Sequence, residues 1–259
     1  MAVSTKEQFS LVNKIALITG ASRGLGKAVA VAFAEAGADM ILVSRRKDAL
    51  NTVARKIEKL GRNSSVFPFD LSQVKEIPDL FDRIHQSMGR VDILVNMAGT
   101  IHREAAVDFP LSEWHHVIEL NLTAPFVLSQ CFARACMASK QPGKIINIAS
   151  LASERTRGSI PAYNASKGGM KQLTKSLAVE WAPYRINVNA IGPGYFDTEL
   201  TRTLVQNQSF NRWVLESTPM KRWGQPDDLV GAAVFLASQA SDFITGQILY
   251  VDGGWLASL

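Results

Sequence analysis

The 259-residue chain is short of the residue types that announce several common functions. It has two cysteines, Cys131 and Cys136, five apart in one helical stretch. That spacing is a poor geometry for a disulfide and no metal-type companions lie nearby, so both are expected as small buried hydrophobes. Histidine is as sparse: His85, His115 and His116 sit in helical stretches without a ligand-spaced partner, and no metal site is expected. No apolar run approaches the length a bilayer requires. The opening MAVSTKEQFSLVNK has no apolar core of the kind a signal peptide carries, which points to a soluble cytoplasmic protein with no membrane partner. No stretch is Pro- or Ser-rich, repeated or low in complexity. Residues 1–259 are therefore expected to form a single domain, with 1–13 as an N-terminal extension and about 195–225 as helices covering the substrate. The net charge of +5 is scattered over the helices without a dense basic stripe or interleaved aromatics. It argues against nucleic acid and reads as solvated surface plus a contribution to binding anions.

What the chain does have is a regular alternation of apolar strands and amphipathic helices. Strands are expected at 14–19 (KIALIT), 39–44 (DMILVS), 64–70 (SSVFPFD), 91–96 (VDILVN), 144–149, 185–191 (RINVNAI) and 247–251 (QILYV). Near-continuous apolar strands separated by helices call for an α/β fold with a seven-stranded parallel sheet, doubly wound, covered by helices on both faces. In such sheets ligands bind beyond the carboxyl ends of the strands, near the point where strand order reverses. Gly20, Ser44, Asp70, Asn96, Ser150 and the IGPG segment at 191–194 all fall at those ends.

Two local patterns give that edge a chemistry. Gly20, Gly24 and Gly26 follow the first strand at once and precede a helical pattern of Leu25, Ala28, Val29, Ala32, Phe33 and Ala36. Glycines in that context let the backbone approach a pyrophosphate, whose charge meets unpaired amides and the positive end of the helix dipole. Tyr163 and Lys167 lie four apart and so share one helix face, with Ser150 thirteen residues upstream. A phenol normally ionises near pH ~10. An adjacent ammonium favours the phenolate, and a hydroxyl beside it can hold a substrate oxygen, which together make a device for moving a proton on or off an alcohol.

These motifs resemble those of the short-chain dehydrogenase/reductase family over essentially the whole chain. TGASRGLG at 19–26 is similar to its cofactor motif, a setting that involves Ser22, Arg23 and Leu25 beside the glycines. NMAG at 96–99 is similar to its Asn-Asn-Ala-Gly, with Met97 departing at the second position, and brings in Asn96, Ala98 and Gly99. Asn121 in NLTAPF, Ser150, Tyr163 and Lys167 match the family's four catalytic positions. PGYFDT at 193–198 resembles the segment that holds the nicotinamide carboxamide, through Pro193, Gly194, Phe196 and Thr198. The resemblance implies a Rossmann-type fold and interconversion of an alcohol and a ketone. In it Ser150 and Tyr163 hold the oxygen and Tyr163 carries the proton, while Lys167 binds the nicotinamide ribose and Asn121 places a water. It also implies that Asp70, with Leu71 beside it, contacts the adenine.

Cofactor choice follows from the end of the second strand. An acid there binds the ribose hydroxyls of NAD and repels a 2′-phosphate, whereas this chain has Ser44 followed by Arg45 and Arg46, with Arg23 on the same side. Guanidinium forks suit phosphate, so NADP(H) is favoured and NAD(H) stays possible. For the substrate, AGTIHREAAVDFP, RWGQPDDL and VDGGWLA resemble the family's sugar-acid members, the gluconate 5-dehydrogenases and deoxygluconate dehydrogenases. His102, Arg103, Arg155 and Arg157 can surround the pocket mouth and meet a carboxylate, and Tyr195 is a further candidate contact. A 3-oxoacyl-(acyl-carrier-protein) reductase shares every motif and is the alternative enzyme. A nicotinamide-nucleotide-binding regulator is the non-enzymatic alternative, against which the intact Asn121, Ser150, Tyr163 and Lys167 argue. Gly168 and Gly169 inside the Tyr163 helix, and the apolar tail at Trp255, Leu256 and Leu259, point to close subunit packing in a homo-tetramer.

Overall fold

The structure is a computed structural model that describes residues 4–258. In chain order its elements are α1 (Thr5–Gln8), β1 (Ile15–Thr19), α2 (Gly24–Glu35), β2 (Asp39–Ser44), α3 (Lys47–Lys59), β3 (Ser64–Pro68), α4 (Ile77–Met88) and β4 (Ile93–Asn96). There follow α5 (Leu111–Ile118), α6 (Ala124–Ser139), β5 (Gly143–Ile148), α7 (Pro161–Trp181), β6 (Ile186–Pro193), α8 (Arg202–Gln206), α9 (Gln208–Ser217), α10 (Pro226–Ala237) and β7 (Ile248–Val251). All seven strands form one parallel sheet in the order β3-β2-β1-β4-β5-β6-β7. Each expected strand is present, with no end displaced by more than two residues. β6 runs further than expected, to Pro193, because Gly192 and Pro193 still pair with Tyr250 and Val251 of β7. Pro68 closes β3 on the sheet's edge, where its missing N–H costs no ladder bond.

Alternation along the strands divides the core in two. Ile18, Met40 and Leu42 point to one face and pack with α2, α3 and α10 through Val29, Phe33, Leu50, Ile57, Leu229 and Leu236. Leu17, Ile41 and Val43 point to the other, against Leu80, Ile84, Phe132 and Trp181 of α4, α6 and α7. Burial on both faces is what makes the strands read as unbroken apolar runs. Sequence punctuation sets several helix ends: prolines stand in the first turn of α4, α6, α7 and α10, where the missing N–H costs nothing. Gly89 ends α4 with φ of 73°, the left-handed conformation that glycine adopts without strain.

The N-terminal segment is tied to this body. Leu11 is fully buried against the α2 side of the sheet, its N–H donating to the Ala36 carbonyl at 2.8 Å, and Phe9 packs on Phe235. Cys136 is buried and its thiol is pushed up to about 12 by that burial, while Cys131 is half-buried; both are free. Among the described residues no helix is long and apolar enough to cross a membrane.

The two glycines of α7 separate. A Cβ on Gly169 would come within 2.8 Å of Leu122 Cδ2, so this glycine serves the packing of α7 on the segment between α5 and α6 within one chain. Gly168 meets nothing within 4 Å and keeps its bare backbone open to the outside.

Candidate active site

The switch point lies between β1 and β4, whose chain continuations leave in opposite directions along the sheet. The Thr19 hydroxyl ties the two strand ends together. It accepts from the N–H groups of Met97 and Ala98 at 2.9 and 3.0 Å and donates to the Val95 carbonyl. Gly20 then turns with φ of 66°, and a Cβ there would meet the Ala98 backbone at 3.0 Å. A Cβ on Gly26 would meet the Gly20 carbonyl oxygen at 2.4 Å, so the first turn of α2 lies directly on the loop. The result is a shallow backbone cradle at a helix N-terminus, the geometry that receives a pyrophosphate.

One cavity of about 1470 Å³ opens along this edge. At one end it is lined by Gly20, Ser22, Arg23, Gly24, Leu25 and Gly26, together with Ser44, Arg45, Arg46, Asp70 and Leu71. Ser44 donates to Ser22 at 2.9 Å, bridging the end of β2 to the glycine loop. Among the described residues no carboxylate faces Arg45 or Arg46 within ion-pair distance, and Arg23 has only a 3.8 Å contact with Glu199. Asp70 accepts from the amide and hydroxyl of Ser72, which fixes its carboxylate at the cavity wall. Three cations beside a glycine cradle, with a serine where an acid would exclude phosphate, fit a 2′-phosphorylated dinucleotide. Farther along, Ala98, Gly99, Pro193, Gly194, Phe196 and Thr198 line the same cavity.

Ser150, Tyr163 and Lys167 meet in its middle. Ser150 caps the short turn after β5, accepting from Ala152 N–H at 3.2 Å. Tyr163 stands in the first turn of α7, and the Lys167 ammonium is 5.6 Å from its ring centre. Lys167 is buried and donates to the Ile148 carbonyl at 2.7 Å, a bond to the strand end that carries Ser150 two residues later. Burial pushes the Tyr163 phenol up, against which Ser150, within hydrogen-bonding reach, and more weakly Arg103 pull it down. Burial also pushes the Lys167 ammonium down to about 8. The pair therefore differs from the sequence expectation of a phenol simply lowered by a fully charged lysine: desolvation moves the two proton affinities apart, the phenol up and the ammonium down, and favours the neutral pair.

Asn121 does not open on the cavity. It sits in a π-helical turn, Glu119–Thr123, that joins α5 to α6, and its side chain is fully engaged. Oδ1 accepts from Thr100 N–H at 2.8 Å, and Nδ2 donates to the Thr100 carbonyl and to Ser166 Oγ at 2.9 and 3.2 Å. Ser166 in turn donates to the Tyr163 carbonyl at 2.8 Å. Asn96 also lies off the cavity: it is buried under the sheet edge, donating to Ser129 and Asn147, and the lining is taken up by Met97, Ala98 and Gly99. His102 turns away as well, its Nδ1 3.3 Å from Glu113 and its ring edge-on to Phe109. It is therefore removed from the cations expected at the mouth, because the loop after β4 alternates and sends Arg103 inward instead.

Arg103, Arg155 and Arg157 do line the substrate end, with Tyr195. Around Tyr195 stand Phe210, Trp213, Trp223 and Trp255, with ring centres 5.5–6.3 Å away and planes near perpendicular. Three of these rings, Phe210, Trp213 and Trp255, line the cavity and were not expected there, as was Asn164 next to Tyr163. The available signal was the crowding of three of the five tryptophans after residue 195. Trp255, expected at a subunit interface, thus belongs to the cavity wall; Leu256 is half-buried and Leu259 lies outside the described residues.

Fold and cavity together define a Rossmann-type nucleotide-dependent oxidoreductase. A family model described as enoyl-(acyl carrier protein) reductase matches residues 20–256. The chain is 41% identical over 251 residues to the 5-keto-D-gluconate 5-reductase of Escherichia coli K12, covering 97% of this chain and 98% of the relative. It is 46% identical to the 2-dehydro-3-deoxy-D-gluconate 5-dehydrogenase of Bacillus subtilis 168, with the same coverage. The crystal structure of a gluconate 5-dehydrogenase from Burkholderia cenocepacia J2315, in complex with NADP and tartrate, superimposes with a TM-score of 0.95 at 41% identity, over 99% of this chain and all of that one. The chain belongs to the short-chain dehydrogenase/reductase family.

The buried lysine has a consequence for stability. Its folded pKa of about 8 is depressed from the ordinary 10.5, so the folded protein carries an unfavourable buried charge below that value. As pH rises from 8 toward 10.5 the unfolded state binds more protons at this site than the folded one, and the penalty fades. Lys167→Met should therefore raise the melting temperature of the nucleotide-free protein relative to wild type most at pH 7, with the difference shrinking steadily toward pH 10. Thermal denaturation monitored across that range tests it, and a pH-independent difference would contradict a desolvated, charged Lys167.

Proposed function

We propose that the protein is an NADP(H)-dependent oxidoreductase that interconverts a secondary alcohol and a ketone on a sugar acid. The observation that carries this reading is a single cavity with a glycine cradle and three arginines at one end, Ser150, Tyr163 and Lys167 in the middle, and Arg103, Arg155 and Arg157 at the other. The names of the relatives, a 5-keto-D-gluconate 5-reductase and a 2-dehydro-3-deoxy-D-gluconate 5-dehydrogenase, and the NADP-bound neighbour support it. Here Gly20, Gly24 and Gly26 would hold the pyrophosphate, Ser44, Arg45, Arg46 and Arg23 the 2′-phosphate, Asp70 and Leu71 the adenine, and Pro193, Gly194, Phe196 and Thr198 the nicotinamide carboxamide. Hydride exchange at the substrate carbon is the chemistry that bound NADP(H) supplies.

The chain's own part is proton handling and orientation. Ser150 and Tyr163 hold the substrate oxygen between them. In reduction Tyr163 donates its phenolic proton to the developing alkoxide; in oxidation the phenolate takes the proton from the alcohol. Lys167 would bind the nicotinamide ribose and, when protonated, stabilise the phenolate by its charge, against the burial of both groups that favours the neutral pair. Asn121 acts through its neighbours: it fixes Thr100 on one side of the site and, through Ser166, the first turn of α7 on the other. In this reading residues 195–225 are the substrate-covering segment, since α8 and α9 lie along the cavity. The whole chain acts as one domain in the cytoplasm, and four copies assemble through the faces of α6 and α7, where Gly168 leaves backbone open.

Three outcomes test this reading. Tyr163→Phe should lower turnover of 5-keto-D-gluconate with NADPH by roughly 10²- to 10⁴-fold while nucleotide affinity is nearly kept; near wild-type turnover would give the proton to another group. Arg45→Asp should weaken NADPH much more than NADH, because it sets a negative charge against the phosphate and leaves the pyrophosphate cradle untouched. Equal losses for the two nucleotides would refute the phosphate assignment. Sedimentation at micromolar concentration should return a tetramer mass, and a monomer would sink the assembly.

A further inference from the structure

We infer that Arg157 is the residue that anchors the substrate's carboxylate, with its guanidinium presented to the cavity by an aromatic wall. This rests on the sugar-acid reading above and assigns one of its cations a role that the others do not share.

The guanidinium carbon of Arg157 lies 4.3 Å from the ring centre of Phe210 and 5.2 Å from that of Trp213, both on α9. The cation is thus seated over two rings, where a weakly hydrated guanidinium is favoured. Its N–H donors directed away from the rings are left to match a carboxylate. Tyr195, itself packed among Phe210, Trp213, Trp223 and Trp255, lies beside the guanidinium, whose charge pulls its phenol down against the burial that pushes it up. The backbone is held too: Asn164, one residue after Tyr163 on α7, donates to the Arg157 carbonyl at 2.9 Å. Among the described residues no carboxylate pairs with Arg157, and the only acids lining the cavity are Asp70, at the adenine end, and Glu199, which faces Arg23.

The other candidates are placed differently. His102 is turned to Glu113. Arg103 is partly desolvated, and its charge is felt by the Tyr163 phenol, so it flanks the reacting oxygen. Among the described residues Arg155 makes no ion pair and lies over no aromatic ring. Only Arg157 is fixed from three sides, by α7 through its backbone, by Tyr195 beside its guanidinium and by the rings of α9. A carboxylate bound there sits at a set distance from Tyr163, because Asn164 and Tyr163 are consecutive on one helix. The anchor therefore selects the end of the substrate that lies away from the reacting carbon.

The test compares two ketones of the same carbon skeleton, 5-keto-D-gluconate and L-sorbose, which has a hydroxymethyl group in place of the carboxylate. With NADPH, wild type should prefer the acid in kcat/KM. Arg157→Ala should lower kcat/KM for the acid by roughly 10- to 100-fold, mainly through KM, as expected for a lost charged, forked contact. Its effect on L-sorbose should stay within about threefold. Arg157→Lys, which keeps the charge and loses the fork and the stack, should recover only a small part of the loss. Unchanged NADPH affinity, read by nucleotide fluorescence, shows that either variant is folded. If wild type prefers the acid and Arg157→Ala still does so to the same degree, or loses both substrates equally, the anchor is overturned while the sugar-acid reading stands. Full activity of Arg157→Lys also overturns it, since a point charge would then suffice. If wild type treats the two ketones alike, the sugar-acid reading falls and the anchor falls with it.

Discussion

The hydroxyl of Thr19 holds the carboxyl ends of β1 and β4 together, and the geometry of the whole cavity is set from that contact. At a switch point the two chains leave in opposite directions, and beyond the last ladder pair, Ile18 with Val95, something else must keep their ends close. One side chain that accepts from two consecutive amides and donates back to the same strand does so. It lets Gly20 turn against the Ala98 backbone with no room for a Cβ. The nucleotide cradle and the loop carrying Thr100 and Arg103 are thereby built on one rigid edge. β5, next in the sheet, sets Ser150 at the same level, and its Ile148 carbonyl holds Lys167.

Burial then acts on that edge as a chemical tool. A tyrosine and a lysine four residues apart on an exposed helix would keep proton affinities that differ little from their ordinary values, with the phenol near ~10 and the ammonium slightly above. Inside the cavity the phenol moves up and the ammonium down to about 8, each because its charged form is desolvated. The neutral pair then lies below the ion pair in free energy, so the phenol is held protonated and ready to give its proton, and the phenolate that oxidation needs depends on positive charge around the site. The cost is borne by the fold, through the sheet and α7 that keep Lys167 in place.

The fold was legible in the sequence because every strand but the two at the sheet's edges, β3 and β7, is buried along most of its length, and double burial leaves a short apolar run that loops and amphipathic helices do not imitate. The nucleotide end was legible for a related reason: Gly20, Gly24 and Gly26 are backbone requirements, and backbone requirements are local in sequence. The substrate end was not. Whether His102 or Arg103 faces the cavity depends on the alternation of a loop with no periodic pattern, and the answer was Arg103. Asn96 carries the same lesson at a strand end, where the last residue turns under the sheet to Ser129 and Asn147. Lys167 does line the cavity beside Tyr163, but the direction of its own shift depends on burial that a four-residue spacing does not report.

The aromatic wall shows most plainly why distance along the chain hides a site. Tyr195, Phe210, Trp213, Trp223 and Trp255 are contributed by the end of β6, by α9, by the loop before α10 and by the C-terminal turn. Only Phe210 and Trp213, three apart on α9, have a spacing that relates them, and the packing of α9 beside the sheet edge brings them to the other rings. Yet the same arrangement explains an otherwise costly feature, the three arginines 103, 155 and 157 at one mouth without an acid to balance them. Like charges held close repel, and Arg103 has its charged form disfavoured first by burial and then by Arg157. Phe210 and Trp213 offset part of that repulsion by receiving the Arg157 guanidinium, while its remaining donors stay directed at the cavity. An anion entering there relieves the strain that the protein alone leaves standing, so the substrate end is built to be completed by negative charge.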